Sequence, residues 1–285
     1  EVLNDRRPRR VGLSATIGDL EFAARWLSAT APKPAKIIAV AGGAPPLKVQ
    51  VWAYVEPPEG GADGDGMLNE PQSGSALAQI ARHAFEALRG SNNLFFASSR
   101  ANVETLADRL RTISEEGQVP NEFFPHHGSL SKGLREELEL RLKDGRLPTT
   151  AVATTTLELG IDIGSVVAVA QLGAPRSLAS LRQRLGRSGR REGSSAIFRN
   201  YLREPYPVAD ADPLDKLHLP VVQAVAALNL LRLKYVEPPQ ADPALLSVSV
   251  HQILSLIVQR GALSAGALYA SLCQQGPFAA LKKSD

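Results

Sequence analysis

Residues 148–172 read PTTAVATTTLELGIDIGSVVAVAQL, and this stretch decides the fold. It holds two short, continuous apolar runs, at 151–154 and 166–170, of the kind found in parallel strands that helices cover on both faces. Further apolar runs and helical patterns alternate around it, at 48–55, 76–88, 94–97, 102–110, 123–124, 131–142, 177–185 and 196–202. Alternation at this spacing predicts an α/β domain over residues 48–206, with a doubly wound parallel sheet and helices on both faces.

The pattern beyond residue 206 changes to helices alone, predicted at 221–234, 245–259 and 265–273. A turn containing Gly261 separates the last two, and Ser264 is placed to cap the second of them. A helix, a glycine-containing turn and a second helix are compatible with the start of a winged-helix domain and equally with a plain αα-hairpin. We therefore predict a helical region over 207–285 and leave these two alternatives open.

The composition is that of an ordinary globular protein, with 285 residues of which 44% are hydrophobic and 21% charged. No apolar run reaches the roughly 18 to 20 uncharged residues of a membrane-spanning helix, and no apolar segment follows the first arginines as in a secretion signal. We expect neither a disordered nor a membrane protein. The single cysteine, Cys273, and the absence of a Cys/His cluster exclude structural zinc and favour the cytoplasm.

Positive charge is concentrated between residues 176 and 203, which hold eight arginines and one glutamate, a net charge of +7 within a chain of net charge +3. The segment includes QRLGRSGR at 183–190, where glycines let the backbone turn tightly while Arg187 and Arg190 project to one side. Planar guanidinium groups bind phosphate through paired hydrogen bonds, so this arginine pair suits a γ-phosphate during hydrolysis. A solvated basic face and a patch that contacts a nucleic-acid backbone are the alternatives.

Polar side chains follow three of the predicted strands, where each strand ends. Thr154 and Thr155 come directly after the run at 151–154, residues 98–100 (Ser-Ser-Arg) follow another strand, and residues 127–129 (His-Gly-Ser) follow a third. Ligands bind at the carboxyl ends of parallel strands, where hydroxyl groups can donate to phosphate oxygens. Each threonine could instead cap the next helix. The pair His126-His127 has no further ligand at a suitable spacing, so we predict no metal site.

These segments, in this order and with Ser-Ala-Thr at 14–16 ahead of them, resemble the second half of a superfamily 2 helicase. The strings HHGSL, TTTLELGIDIG and QLGAPRSLASLRQRLGRSGR resemble in particular the Lhr-type (large helicase-related) DNA helicases, over residues 11–204 and more loosely over 215–285. The resemblance implies a second RecA-like lobe at 48–206, a winged-helix region after it, and a remnant of the first lobe, with a strand at 11–13, in residues 1–47. It also implies ATP, Mg²⁺ and single-stranded or duplex DNA as ligands, and a role in DNA repair.

Residue roles follow from the resemblance by position. Arg187 and Arg190 would be arginine fingers, and Gln183 would lie near the phosphates. Gly160 and Asp162 would line the nucleotide, with Asp162 accepting a hydrogen bond from a ribose hydroxyl. The implied contacts to the nucleic-acid backbone, which carry no sequence readout, are Ser99, Arg100, Gly128, Thr154 and Thr155. Ser14 and Thr16 would link hydrolysis to lobe movement.

One departure from the helicase pattern limits what this chain can do. No GxxxxGK[ST] phosphate loop and no DExH or DExD cluster occurs in it, so the groups that hold the β- and γ-phosphates and Mg²⁺ are missing. We therefore expect a piece of a helicase that does not hydrolyse ATP alone, with ATP and Mg²⁺ held mainly by the first lobe. The expected parent is a 3′-to-5′ DNA helicase, and an RNA or RNA–DNA hybrid helicase and a non-enzymatic nucleic-acid-binding module are the alternatives.

Overall fold

The computed structural model divides into two compact units, Glu1–Glu237 and Pro238–Asp285. It describes the following residues: 10–14, 16–28, 34–39, 46–57, 74–158, 161–189, 193–208, 210–238, 246–274, 278 and 281–282.

Six strands in the described part of the first unit form one parallel sheet: β1 (Leu47–Val55), β2 (Asn93–Phe96), β3 (Phe123–His126), β4 (Thr150–Ala153), β5 (Ala168–Leu172) and β6 (Ala196–Glu204). Their order across the sheet is β1-β6-β5-β2-β4-β3, and every neighbouring pair is parallel. All residues of β2, β4 and β5 are buried, as the continuous apolar runs predict.

The described helices of this unit are α1 (Leu20–Leu27), α2 (Ala76–Leu88), α3 (Arg100–Glu116), α4 (Lys132–Asp144), α5 (Leu178–Leu185) and α6 (Leu219–Arg232). Serine side chains begin four of them, because each hydroxyl oxygen accepts a backbone N–H that has no partner within the helix. These N-cap residues are Ser75, Ser99, Ser131 and Ser177.

Two apolar layers cover the sheet, one on each face. Leu77 and Ile80 of α2 pack with Leu106 of α3 on one face, and Leu142 of α4 packs with Leu181 of α5 on the other. The predicted doubly wound parallel sheet is therefore confirmed. The arrangement places the carboxyl ends of β2, β4 and β3 side by side at one edge of the domain.

Two apolar runs near the amino terminus, at 11–13 and 37–40, each predict a short strand, and neither prediction holds in the described residues. Residues 11–14 and 34–39 form no strand, and Leu13 and Ile38 are 94% and 80% exposed. Residue 40, the end of the second predicted strand, lies outside the described residues. A strand needs a hydrogen-bonded neighbour as well as apolar side chains, and the sheet offers none to these segments.

Helix α6 groups with the sheet, because it packs on β6 and α5. The second unit contains α7 (Leu246–Arg260) and the short α8 (Ala265–Tyr269), which continues as one π-helical turn through Ala270–Gln274. The two predicted helices of this region are thus confirmed, Ser264 caps α8 as expected, and the winged-helix assignment stays a prediction. Among the described helices, none alone is long and apolar enough to cross a membrane, although α7 and residues 265–274, bent by 117°, satisfy length and composition as a pair.

Candidate functional site

Three loops at the carboxyl ends of the central strands form one exposed surface, which we call the strand-end surface (residues 98–100, 127–129 and 154–155). Because β2, β4 and β3 are neighbours, the structure brings together the five predicted backbone contacts: Ser99, Arg100, Gly128, Thr154 and Thr155. All are exposed except Thr154, which is half-buried. The surface therefore offers hydroxyl, guanidinium and backbone N–H donors to an extended anionic ligand.

Helix capping fixes the serine of this surface. The Ser99 hydroxyl oxygen accepts the N–H of Asn102 at 3.1 Å and so begins α3. A serine that accepts through its oxygen still carries a proton to donate, so capping and phosphate binding are compatible. The Arg100 guanidinium donates to the Ser129 hydroxyl, which joins two of the three loops.

A buried histidine links the ends of β3 and β4. The Nδ1 atom of His126 lies 2.8 Å from the Thr156 hydroxyl, and its Nε2 lies 3.0 Å from Glu139 of α4. Burial lowers the pKa of His126 and so favours the neutral ring, although the nearby Glu139 carboxylate acts in the opposite direction. With Nε2–H donating to Glu139, Nδ1 is free to accept the Thr156 proton, for which the His126 carbonyl oxygen at 3.2 Å is the second acceptor. The His126 ring therefore joins β3 to Thr156 and to α4, beneath the strand-end surface. Among the described residues, no group of three or more His, Cys, Asp or Glu could hold a metal ion.

A second part of the same edge carries arginines of the +7 segment. A cleft of about 270 Å³ beside the ends of β2 and β5 is lined by Ser98, Asn102, Arg176 and Arg203, among others. Arg176 is exposed, and Arg203 pairs with Glu56 at 2.6 Å. The cleft extends the cationic character of the strand-end surface toward β6.

The arginine Arg187 is buried in this structure, at 9% exposure. Its Nη1 donates to the carbonyl oxygen of Ile161 and its Nη2 to that of Glu158, both at 2.7 Å. The guanidinium thus joins the turn after α5 to the segment after β4. Its burial argues against a solvated basic face at this residue.

An ion pair that the sequence analysis missed lies beside it. The Nε of Arg184 donates to Glu158 Oε1 at 2.8 Å, its Nη1 donates to Gln171 at 2.8 Å, and its guanidinium stacks over the Phe96 ring at 4.6 Å. Ser180, one turn earlier on α5, donates to the other Glu158 oxygen at 3.0 Å. The i, i+4 spacing of Ser180 and Arg184, on the helix face toward the only acid in TTTLELG, is the signal that could have indicated this network.

The predicted coupling residues meet the arginine segment 183–190. Gln183 Nε2 donates to the Thr16 hydroxyl at 3.1 Å, and the Ser14 hydroxyl accepts the N–H of Thr16 at 3.2 Å. Residues 167 positions apart in the chain are therefore in direct contact. The contact is the physical link that a coupling role for Ser14 and Thr16 requires.

The backbone conformation at residue 189 requires a glycine. Its φ is +71°, and a Cβ there would lie 2.8 Å from the backbone nitrogen of Ala196 at the start of β6. The preceding Ser188 donates to the Val167 carbonyl at 2.6 Å and accepts the N–H of Ile197 at 3.2 Å. The end of the arginine segment is thus fastened to two strands.

The predicted nucleotide-lining residues are only partly described. Asp162 is 2.8 Å from the Lys143 ammonium group, and its side chain is 70% exposed. Gly160 and Arg190 lie outside the described residues. Their predicted roles, the lining of the nucleotide and the arginine finger, stay predictions.

Comparison with known proteins identifies the domain. Residues 75–192 match the helicase conserved C-terminal domain. The chain is 34% identical over 184 residues to the ATP-dependent helicase Lhr-Core of Methanothermobacter thermautotrophicus. The similar region covers 63% of this chain and 20% of that protein. The chain is also 34% identical over 220 residues to the Lhr helicase/probable uracil glycosylase of Mycolicibacterium smegmatis, covering 67% of this chain and 14% of that protein. The chain thus spans a fifth or less of the length of these relatives.

A solved structure is similar to this chain in fold. The structure of Mycobacterium smegmatis helicase Lhr bound to ssDNA and AMP-PNP superposes with a TM-score of 0.70 and 28% identity, covering 98% of this chain and 33% of that one. Fold, motif order and sequence similarity therefore agree. The chain belongs to the Lhr type of superfamily 2 helicase and carries its C-terminal RecA-like lobe.

Proposed function

We propose that this chain is the second motor lobe of an ATP-dependent DNA helicase that translocates 3′-to-5′. The observation that carries the proposal is the contact of α5 and the turn after it with two other helicase segments, through Gln183 to Thr16 and through Arg187 to the carbonyls after β4. A short helix and its following turn thereby join both segments. The strand-end surface supplies the nucleic-acid contacts that the same motor needs.

The mechanism follows from what these side chains can do. ATP binds between two lobes, and closure brings Arg187 and Arg190 to its phosphates, where added positive charge raises the hydrolysis rate. Arg187 exchanges carbonyl partners for phosphate oxygens in that step. Because Gln183 contacts Thr16 and Arg187 contacts the segment after β4, the loss of the γ-phosphate changes both contacts and reopens the lobes.

The chain does not supply the whole ATPase site. Its sequence contains no GxxxxGK[ST] loop, and its described residues contain no carboxylate cluster that fits a metal ion. We therefore propose that the phosphate loop and the acids that bind Mg²⁺ belong to the first RecA-like lobe. The 285-residue chain alone is expected to show no ATPase activity.

The ligand of the strand-end surface is proposed to be single-stranded DNA. The Lhr structure that superposes on this chain is bound to ssDNA, which supports DNA as the partner. Contacts to phosphates alone do not distinguish DNA from RNA, since the discrimination depends on the 2′-hydroxyl. Unwinding of matched duplexes with DNA or RNA loading strands decides between the two substrates.

The finger assignment is tested by Arg190→Ala in the full-length protein. We expect the substitution to abolish nucleic-acid-stimulated ATPase, about a thousandfold, and to leave binding of single strands unchanged. A matched Arg146→Ala variant, at an exposed arginine paired with Asp144, should keep full activity. Retained ATPase in Arg190→Ala contradicts the finger assignment.

A further inference from the structure

The short segment 235–237 after α6 meets the first turn of α5. The Glu237 carboxylate accepts the N–H of Leu178 at 2.6 Å through Oε1 and that of Ala179 at 3.2 Å through Oε2. These are the first two N–H groups of the helix, which have no partner inside it. Ser177 accepts the next one, that of Ser180, at 3.3 Å. A residue 58 positions away in the chain therefore completes the start of α5.

The charge of Glu237 suits this position. Glu237 is exposed, and the desolvation that raises its pKa is outweighed by the N–H donors of Leu178 and Ala179 and by the nearby Arg182, so the pKa of Glu237 lies below its usual range. An ionised carboxylate at a helix amino terminus is stabilised by the helix dipole. One turn further along, Arg182 Nη2 donates to the Tyr235 carbonyl at 3.2 Å. Segment 235–237 thus contacts α5 at two successive turns.

A glycine, Gly18, allows the segment that carries the predicted coupling residues Ser14 and Thr16 to approach segment 235–237 closely. A Cβ on Gly18 would lie 2.7 Å from the carbonyl oxygen of Val236 and 3.0 Å from that of Glu237. Two residues earlier, Thr16 contacts Gln183. Helix α5 is therefore held at its start by segment 235–237 and near its end by Thr16, and these two segments touch each other at Gly18.

We propose that Glu237 is a positioning residue for ATP hydrolysis, which fixes the axial position and rotation of α5 and thereby the placement of Gln183 and Arg187. The proposal rests on the proposed function of this lobe. An α-helix of eight residues is about 12 Å long and transmits a shift of its first turn to its end. Misplacement of catalytic groups by about 1 Å can lower the rate up to a hundredfold. A small shift of the first turn of α5 can therefore change the rate of ATP hydrolysis.

The test uses Glu237→Gln, Glu237→Ala and Glu237→Asp in the full-length protein, with ATPase measured against ATP concentration at saturating single-stranded DNA. We expect kcat to fall about three- to tenfold in Glu237→Gln and further in Glu237→Ala, because the anionic acceptor for two N–H groups is lost. The Michaelis constant for ATP and the dissociation constant for single-stranded DNA should stay within about twofold, since Glu237 contacts neither ligand. Glu237→Asp keeps the charge and should recover part of kcat.

A matched control is Glu122→Gln. Like Glu237, Glu122 is a carboxylate that accepts a backbone N–H, that of Gly90 at 2.7 Å, and lies near an arginine, at 3.8 Å, but it is buried, precedes β3 and belongs to no contact with α5. Its substitution should leave kcat unchanged. Wild-type kcat in folded Glu237→Gln and Glu237→Ala overturns the proposal. An equal fall of kcat in Glu122→Gln also overturns it, because the effect is then one of stability.

The same assay separates this proposal from the proposed function. If the wild-type full-length protein shows no DNA-stimulated ATPase, the motor-lobe assignment itself fails, and if Arg187→Ala and Arg190→Ala retain the activity, the finger roles fail. If both abolish it while the Glu237 variants stay at wild-type kcat, only the positioning role fails.

Discussion

Arg184 and Glu158 form an ion pair in the interior of the site. Both are mostly buried, with side-chain exposures of 16% and 10%, and each has a further hydrogen bond, to Gln171 and Ser180. Removing one partner of such a pair leaves a charge buried without compensation, which is costlier than the net gain from forming the pair. The pair therefore contributes to holding α5 against the segment after β4.

Glu158→Gln tests this ion pair. We expect the free energy of unfolding to fall by about 2 to 3 kcal/mol, because Arg184 keeps its charge in a partly buried site. Denaturant unfolding measures the change, and Glu136→Gln, which removes an exposed ion pair with Lys132, should cause no measurable loss. Equal stability of Glu158→Gln and the wild type would show that the pair is not buried in solution.

The buried His126 predicts a dependence of stability on pH. Its pKa is lowered by burial, so the unfolded chain, with an ordinary pKa near 6.5, binds a proton at a higher pH than the folded chain does. Stability should therefore be full above about pH 7 and fall as the pH drops through 6.5 toward the folded-state pKa. His83 has its pKa lowered in the same direction, by burial and by Arg199.

The measurement is the free energy of unfolding at pH 7.5 and at pH 5.5. The wild-type protein should lose stability between the two, and His126→Gln should lose less. A loss in His126→Gln as large as that of the wild type would assign the dependence to other groups. A gain of stability toward acid pH would mean that folding raises the pKa of His126 and does not lower it.

The position of a whole strand can depend on a single glycine in the turn before it, as the residues that precede β6 show. Gly189 and Gly193 both have positive φ, +71° and +76°, but only Gly189 has backbone against its missing Cβ. Gly193→Ala should therefore cost only the backbone strain, about 1 kcal/mol. Gly189→Ala should cost about 1 to 2 kcal/mol more, because the start of β6 has to move.

Denaturant unfolding of the two glycine variants gives this difference directly. Equal losses of stability would mean that the close approach of Gly189 to Ala196 is absent. A larger loss in Gly193→Ala than in Gly189→Ala would contradict the turn geometry itself.

Most of the helices and strands could be predicted from sequence because their signals are local. Continuous apolar runs predict β4 and β5, and serine caps at Ser131 and Ser177 predict where α4 and α5 begin. The two wrong strands, at 11–13 and 37–40, have the same apolar character. What they lack is a neighbouring strand, and a partner is a property of the tertiary structure that no local run reveals.

The site as a whole was predictable only in part, for a related reason. The neighbouring strand ends follow from a parallel sheet, so the strand-end surface could be predicted from the segments after β2, β3 and β4. The contacts of α5 could not, because Gln183 meets a residue 167 positions away and Leu178 one 59 positions away. The burial of Arg187 on carbonyl oxygens was missed as well, since charge alone indicated a phosphate partner.

Binding by the whole molecule should be electrostatic and independent of base sequence. Arg100 lies on the strand-end surface and is proposed to contact one phosphate. Arg100→Ala in the full-length protein should weaken single-strand binding equally across sequences and reduce the slope of log K against log salt by about 0.7. Arg146→Ala, whose exposed guanidinium lies 3.1 Å from Asp144, is the control and should leave the slope unchanged. An unchanged slope in Arg100→Ala would remove this residue from the interface.

The most direct measurement is the steady-state ATPase rate of the full-length protein, with and without single-stranded DNA or RNA, beside the same assay on the 285-residue chain. We predict that single-stranded DNA stimulates the full-length protein more than RNA does and that the chain alone is silent, because the phosphate loop lies in another lobe. Activity of the chain alone would contradict the divided ATPase site. A full-length protein without ATPase activity would contradict its assignment as a motor.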